Sequence, residues 1–111
     1  MLKLEYQGAV AVFRTEEPLT GDAVSQAASV LQQSSETGQR MAVLDLQKVP
    51  LIDSAGLELL LDQQDAFERN GGCLKLSGAN PLCHDILRCA GIQKRFPMCP
   101  DVKSAVGSFV R

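Results

Sequence analysis

The stretch "MAVLDL", residues 41–46, constrains the fold most. It is a nearly unbroken apolar run, as expected of a strand covered on both faces. Strands of that kind pair in parallel through crossover helices, so a helix should follow. One does. After "QKVPLID" comes an amphipathic run from Ser54 to about Asn70, with Leu57, Leu60, Leu61 and Phe67 on one stripe and a stop at Gly71-Gly72. The unit then repeats in kind. "CLKLS" reads as a strand, and "GANPLCHDILRCAG" as its helix. There Asn80 suits the N-cap and Pro81 the first turn, while Leu82, Ile86, Leu87 and Ala90 supply the buried side.

The flanking segments fit around this pair. "LKLEY" and "GAVAVF", separated by Gln7-Gly8, predict two short strands in a hairpin. "DAVSQAASVLQQSS" sets Val24, Ala27, Ala28 and Leu31 at helical spacing, with Asp22 or Thr20 as its cap. "IQKRFPMCP" is irregular with room for a short edge strand. "DVKSAVGSFV" closes as a helix capped by Asp101 and presenting Val102, Ala105, Val106 and Phe109. The order β-β-α-β-α-β-α-(β)-α predicts one α/β domain over residues 1–111, with a mixed sheet of four to five strands and about four helices.

Composition narrows the function. A net charge of −2 offers no electrostatic reason for a nucleic-acid partner. No apolar run approaches the ~20 residues of a membrane span. "MLKLEYQG" lacks the pattern of a secretory leader, so a cytoplasmic protein without direct membrane insertion is expected. Cys73, Cys83, Cys89 and Cys99 form no C-x-x-C pair, and they read as small apolar packing residues. Cys83-His84 is too isolated for a zinc site, so no metal is expected. Catalysis lacks a constellation: Ser54 has no G-x-S-x-G elbow, and His84 belongs on another helix as an exposed or half-exposed polar residue. "NGGC" and "SGAN" lack the lysine and spacing of a phosphate cradle. The expectation is a protein that is not an enzyme and carries no cofactor.

Attention therefore falls on Asp53 and Ser54, where loop turns into helix. Either can cap the helix, at about 1 kcal/mol. An exposed hydroxyl there can also be phosphorylated or meet a partner. A phosphate would find backbone N–H groups but also the like charge of Asp53. Glu58, Asp62 and Asp65 follow at spacings of four and three, on one outer face. With Asp53 they form an acidic stripe, either a solvated face or a docking surface for a basic partner.

The string "VLDLQKVPLIDSAGLELLL" resembles the central segment of STAS domains, named for sulfate transporters and anti-sigma-factor antagonists. The matching positions are Leu44-Asp45-Leu46, Val49, and Asp53-Ser54-Ala55-Gly56-Leu57. The likeness runs over about residues 40–107. It implies a non-catalytic regulatory module whose contact surface centres on Asp53, Ser54, Ala55 and Gly56 and extends over Glu58 and Asp62. In phosphorylatable antagonists the acceptor hydroxyl stands just before the glycine, where this chain has Ala55. The resemblance thus implies an anti-sigma-factor-antagonist type, with an anti-sigma factor or kinase-like protein as partner, working without phosphorylation unless Ser54 substitutes. The Asp-Ser-Ala-Gly-Leu form also resembles the small STAS subunits of lipid-asymmetry ABC transporters, which implies docking on an ATPase subunit. Small-ligand or nucleotide sensing beside Ser54 remains a third class of function.

Overall fold

The apolar run at 41–46 becomes the middle of the sheet. The computed structural model describes residues 1–109. The chain runs β1 (Lys3–Gln7), β2 (Val10–Arg14), α1 (Gly21–Glu36), β3 (Met41–Asp45) and α2 (Ser54–Arg69). It continues through β4 (Cys73–Ser77), α3 (Pro81–Cys89), a 3-10 turn (Ile92–Lys94), β5 (Met98–Cys99) and α4 (Val102–Gly107). The strands lie in the order β1-β2-β3-β4-β5. β1 pairs antiparallel with β2 through the expected hairpin. β2, β3, β4 and β5 are parallel neighbours. The α/β class, the mixed sheet of five strands and the four helices are as the sequence predicts.

Side chains alternate across the sheet, and each face meets helices. On one face Ala11, Phe13, Ala42, Leu44, Leu74 and Leu76 pack with Ala27 and Leu31 of α1, Leu59, Leu60 and Phe67 of α2, and Cys83 and Leu87 of α3. On the other, Val10, Val12 and Val43 are sealed by Ala105, with Val102, Val106 and Phe109 around it. The six-residue α4 covers this smaller cluster. Lys75 continues the cover: its Nζ sits 4.1 Å from the Phe109 ring centroid and donates to Ser108 Oγ at 2.6 Å.

Some faces differ from expectation. α2 buries Leu59, Leu60 and Phe67 together with Gln63, Gln64 and Ala66, while Leu57 and Leu61 are only half-buried. The helix packs against both α1 and the sheet, so its buried arc is wider than a leucine stripe and admits glutamines. In α3 the buried residues are Cys83 and Leu87; Ile86 is half-buried, and Leu82 and Ala90 are exposed. That helix packs on the core through Cys83 and Leu87 and against the 3-10 turn that follows it, and the Leu82 and Ala90 side meets solvent. The closing helix ends at Gly107; Ser108 and Phe109, expected within it, form a turn, and Val110 lies outside the described residues.

β5 is only two residues long, which leaves part of β4's edge without a strand partner. Gln64 fills that gap. Its Oε1 accepts from Leu74 N at 2.9 Å, and its Nε2 donates to Leu74 O at 3.0 Å and Arg95 O at 2.7 Å. A side-chain amide completes the ladder where backbone runs out.

Candidate functional site

Two loops bring the starts of α1 and α2 side by side. Leu19 and Ile52 form a single parallel bridge; Leu19 N donates to Leu51 O at 2.9 Å, and Asp53 N to Leu19 O at 3.2 Å. Asp53 then serves both helices. Its Oδ1 accepts from Gly56 N at 3.0 Å, making it the N-cap of α2. Its Oδ2 accepts from Gly21 N at 3.3 Å, at the start of α1. Thr20, in the cap position of α1, makes no side-chain cap bond, and Asp22 lies in the first turn instead. One carboxylate thus sits near two positive helix ends.

The choice between Asp53 and Ser54 as cap is settled in favour of Asp53. Ser54 opens α2 and is exposed, and its hydroxyl bonds to no described residue. The Ser54 and Ala55 N–H groups stand at the start of the helix, where no helical acceptor precedes them. This end of the helix can therefore receive an acceptor group, whether a phosphate on Ser54 or an atom of another molecule.

Gly56 has a different setting from the one expected of a contact residue. It is buried, and a Cβ there would collide with Leu19 O and lie 2.8 Å from Ile52 Cγ2. The glycine is needed inside the molecule, where the α1 loop crosses the α2 helix. Ala55 is half-buried beside it, and Glu58 and Asp62 are exposed one turn apart on the outer face. Asp65 is also exposed, but Arg95 takes it at 2.6 Å and reaches Glu68 at 3.1 Å, which raises the guanidinium's already high pKa. The acidic stripe is thereby shortened to Glu58 and Asp62.

Asp45, which ends β3, is buried and structural. Its Oδ1 accepts from Gln47 N at 3.0 Å, and its Oδ2 lies 3.5 Å from Arg14 Nη1, turning the chain from strand into loop. Arg14 in turn holds Glu5 at 2.8 Å. The loop is pinned further on: Asn80 caps α3 through Cys83 N at 2.7 Å and donates to Val49 O at 3.2 Å. The start of α2 is thus held on a rigid base.

The cysteines divide by environment. Cys83 is buried, which pushes its thiol pKa up; burial does the same to half-buried Cys73. Cys99 is half-buried, and Cys89 is exposed, contrary to the expectation of four packing residues. His84 is exposed on α3, as expected, beside a cleft shared with Met98 and Cys99. Sequence reasoning passed over Gln63 and Gln64; their signal was two amides interrupting the apolar side of an amphipathic helix.

A family model, the STAS domain, matches residues 1–105, a span that takes in Asp45, the pinned loop and the start of α2. The chain belongs to the STAS family. No curated protein sequence matches it significantly. Among solved structures, this STAS domain is similar to a candidate anti-sigma factor antagonist of Thermotoga maritima, at TM-score 0.93 and 15% identity over 99% of this chain and 95% of that one. It is similar to the phosphorylated form of the Bacillus cell fate determinant SpoIIAA, at TM-score 0.77 and 20% identity with both chains fully covered. It is also similar to the STAS domain of a SulP transporter from Vibrio cholerae, at TM-score 0.77 and 24% identity over 96% of this chain and 84% of that one. At these identities the likeness is one of fold. No helix among the described residues is long and apolar enough to cross a membrane.

Proposed function

We propose that this STAS domain, residues 1–111, is a non-catalytic regulatory module that works in the cytoplasm by binding another protein. Its contact surface is centred on the start of α2: Asp53, Ser54 and Ala55, extending over Glu58 and Asp62. Gly56 belongs to the site as the residue that lets α2 start against Leu19. The observation that carries this reading is the division of labour between neighbours. Asp53 does the capping, so the exposed Ser54 hydroxyl has no structural duty to perform.

The style is that of an anti-sigma-factor antagonist, with an anti-sigma factor or kinase-like protein as partner. Ala55 stands where phosphorylatable members carry the acceptor, so partner exchange runs without phosphorylation at that position. Ser54 is the one hydroxyl placed to substitute, and a phosphate on it would meet both free N–H groups and the Asp53 charge. A second reading follows from Ala55 itself. The Asp-Ser-Ala-Gly-Leu form suits an accessory subunit docking on the ATPase of an ABC lipid transporter, where phosphorylation has no part.

The test is an affinity pull-down of tagged protein from its native cytosol, with mass spectrometry of partner and bait, followed by titration of the recovered partner. Recovery of an anti-sigma factor selects the first reading, and recovery of an ABC ATPase selects the second. With either partner, Ser54→Asp should weaken binding by placing charge at the contact. Unchanged affinity in both Ser54→Asp and Ser54→Ala would remove the helix mouth from the interface.

A further inference from the structure

Between α1 and α2 runs an open groove of about 220 Å³ lined by Val24, Ala28, Ala55, Glu58, Leu59, Asp62 and Gln63. Its floor is apolar. Its polar groups are dominated by acceptors. Glu58 and Asp62 are exposed one turn apart, roughly 6 Å between Cβ atoms, and neither pairs with a cation among the described residues. α1 contributes no lysine or arginine to the opposite wall. The decisive group lies beneath. Gln63 is only 5% exposed, its Nε2 donates to Gln32 Oε1 at 3.3 Å, and its Oε1 is buried with no hydrogen-bond partner. A buried acceptor without a donor is costly, and its persistence beside two unpaired carboxylates requires explanation.

We propose that this groove receives an arginine from an amphipathic segment of the protein partner. A guanidinium is planar, carries five donors and no acceptor, and has an apolar stem. The stem lies along Val24, Ala28 and Leu59, the fork bridges Glu58 and Asp62, and a turn of the Gln63 amide from beneath lets its Oε1 accept from an N–H. Apolar neighbours on the same segment cover the rest of the floor. An anionic ligand is disfavoured here by the two carboxylates, and a neutral one leaves both unpaired. The assignment rests on the protein-binding reading above and adds the chemistry of the partner: basic and apolar, presented on one face. The groove opens at Ala55, so the arginine would dock next to the exposed start of α2.

The experiment titrates the isotope-labelled protein with an acetylated, amidated leucine/alanine-rich helical peptide bearing one central arginine, and with its citrulline twin. Backbone amide shifts should gather at Val24, Ala28, Ala55, Glu58, Asp62 and Gln63, with the citrulline peptide about tenfold weaker. In a Glu58→Gln/Asp62→Asn double variant the two peptides should bind alike, while its unchanged spectrum elsewhere reports an intact fold. Equal affinity of the two peptides for the unmodified protein, or shifts that map outside the groove, would overturn the assignment. So would equal shifts at the same residues with spermidine, which would mark a site for free polyamines. Failure here is separable from failure of the helix-mouth reading. Shifts confined to Ser54 and its neighbours without charge preference would sink the groove and keep the mouth.

Discussion

Asp53 and Ser54 are adjacent and carry opposite kinds of duty. Replacing Asp53 with Ala removes acceptors at the starts of two helices, so it should cost about 1–2 kcal/mol in denaturant unfolding. Ser54→Ala deletes a hydroxyl that bonds to no described residue and should stay within about 0.5 kcal/mol of wild type. Equal destabilisation by the two would show that Ser54 shares the capping. Gly56→Ala is the severe change at this site. Its methyl meets the Leu19 carbonyl, a backbone atom that cannot swing aside, so the cost should reach the upper part of ~1–3 kcal/mol. Thiol chemistry separates residues in the same way. Native protein should show one fast-reacting thiol, Cys89, with Cys83 protected until unfolding because burial keeps it protonated and out of reach. Mass mapping after brief alkylation checks the order.

At the scale of elements, α2 is both the wall of the groove and the brace of the sheet edge. Gln64 supplies what a longer β5 would have supplied. Gln64→Leu has nearly the right volume but leaves Leu74 N and O and Arg95 O without partners, so a loss of about 3 kcal/mol is expected by chemical denaturation. A near-neutral result would mean that water or a shifted strand completes β4. The cap of α4 gives a pH signature. Asp101 accepts from Ser104 N at 2.7 Å, and that bond lowers its carboxyl pKa. A lowered folded-state pKa means the bonus is present above the unfolded value and lost as pH falls through the folded one. Wild type and Asp101→Asn should therefore differ most in stability near neutrality and converge in acid, which urea titrations at several pH values would show.

The molecule as a whole is three layers deep, and its two helical layers are unequal. Three helices cover one face of the sheet, and one six-residue helix covers the other. The thin side is the vulnerable one. Ala105 is fully buried against Val10, Val12 and Val43, so Ala105→Asp would bury a charge with no partner and should unfold the domain or cost more than ~3 kcal/mol. The proposed partner surface lies elsewhere, on the side of α1 and α2, so changes there should leave thermal stability nearly intact while altering binding. Glu58→Lys with Asp62→Lys should weaken a basic partner and reverse the sign of the salt dependence of its association, since exposed charges are screened over roughly 8–10 Å at ordinary ionic strength.

Local rules made the architecture legible in the sequence. Hydrophobic period identified the strands and helices, Asn80 and Asp101 marked helix starts, and the string around Asp53 to Leu57 carried the family. Such signals depend on backbone geometry within a few residues, which neighbours along the chain determine. The division between Asp53 and Ser54 needed the third dimension, because Asp53 also reaches Gly21, thirty-two residues away. So did the reason for Gly56, whose obstruction is a carbonyl on another loop. Leu82 and Ala90 were placed inside by periodicity, but their side of α3 meets solvent. Gln63 and Gln64 read as polar interruptions until packing showed one completing a strand edge and the other left with an idle acceptor. Strands, helices and the family string were readable because each depends on residues close together in the chain. Which polar groups are already satisfied and which are left without a partner emerged only from the packed fold, because hydrogen-bond satisfaction depends on atoms brought together from distant parts of the chain.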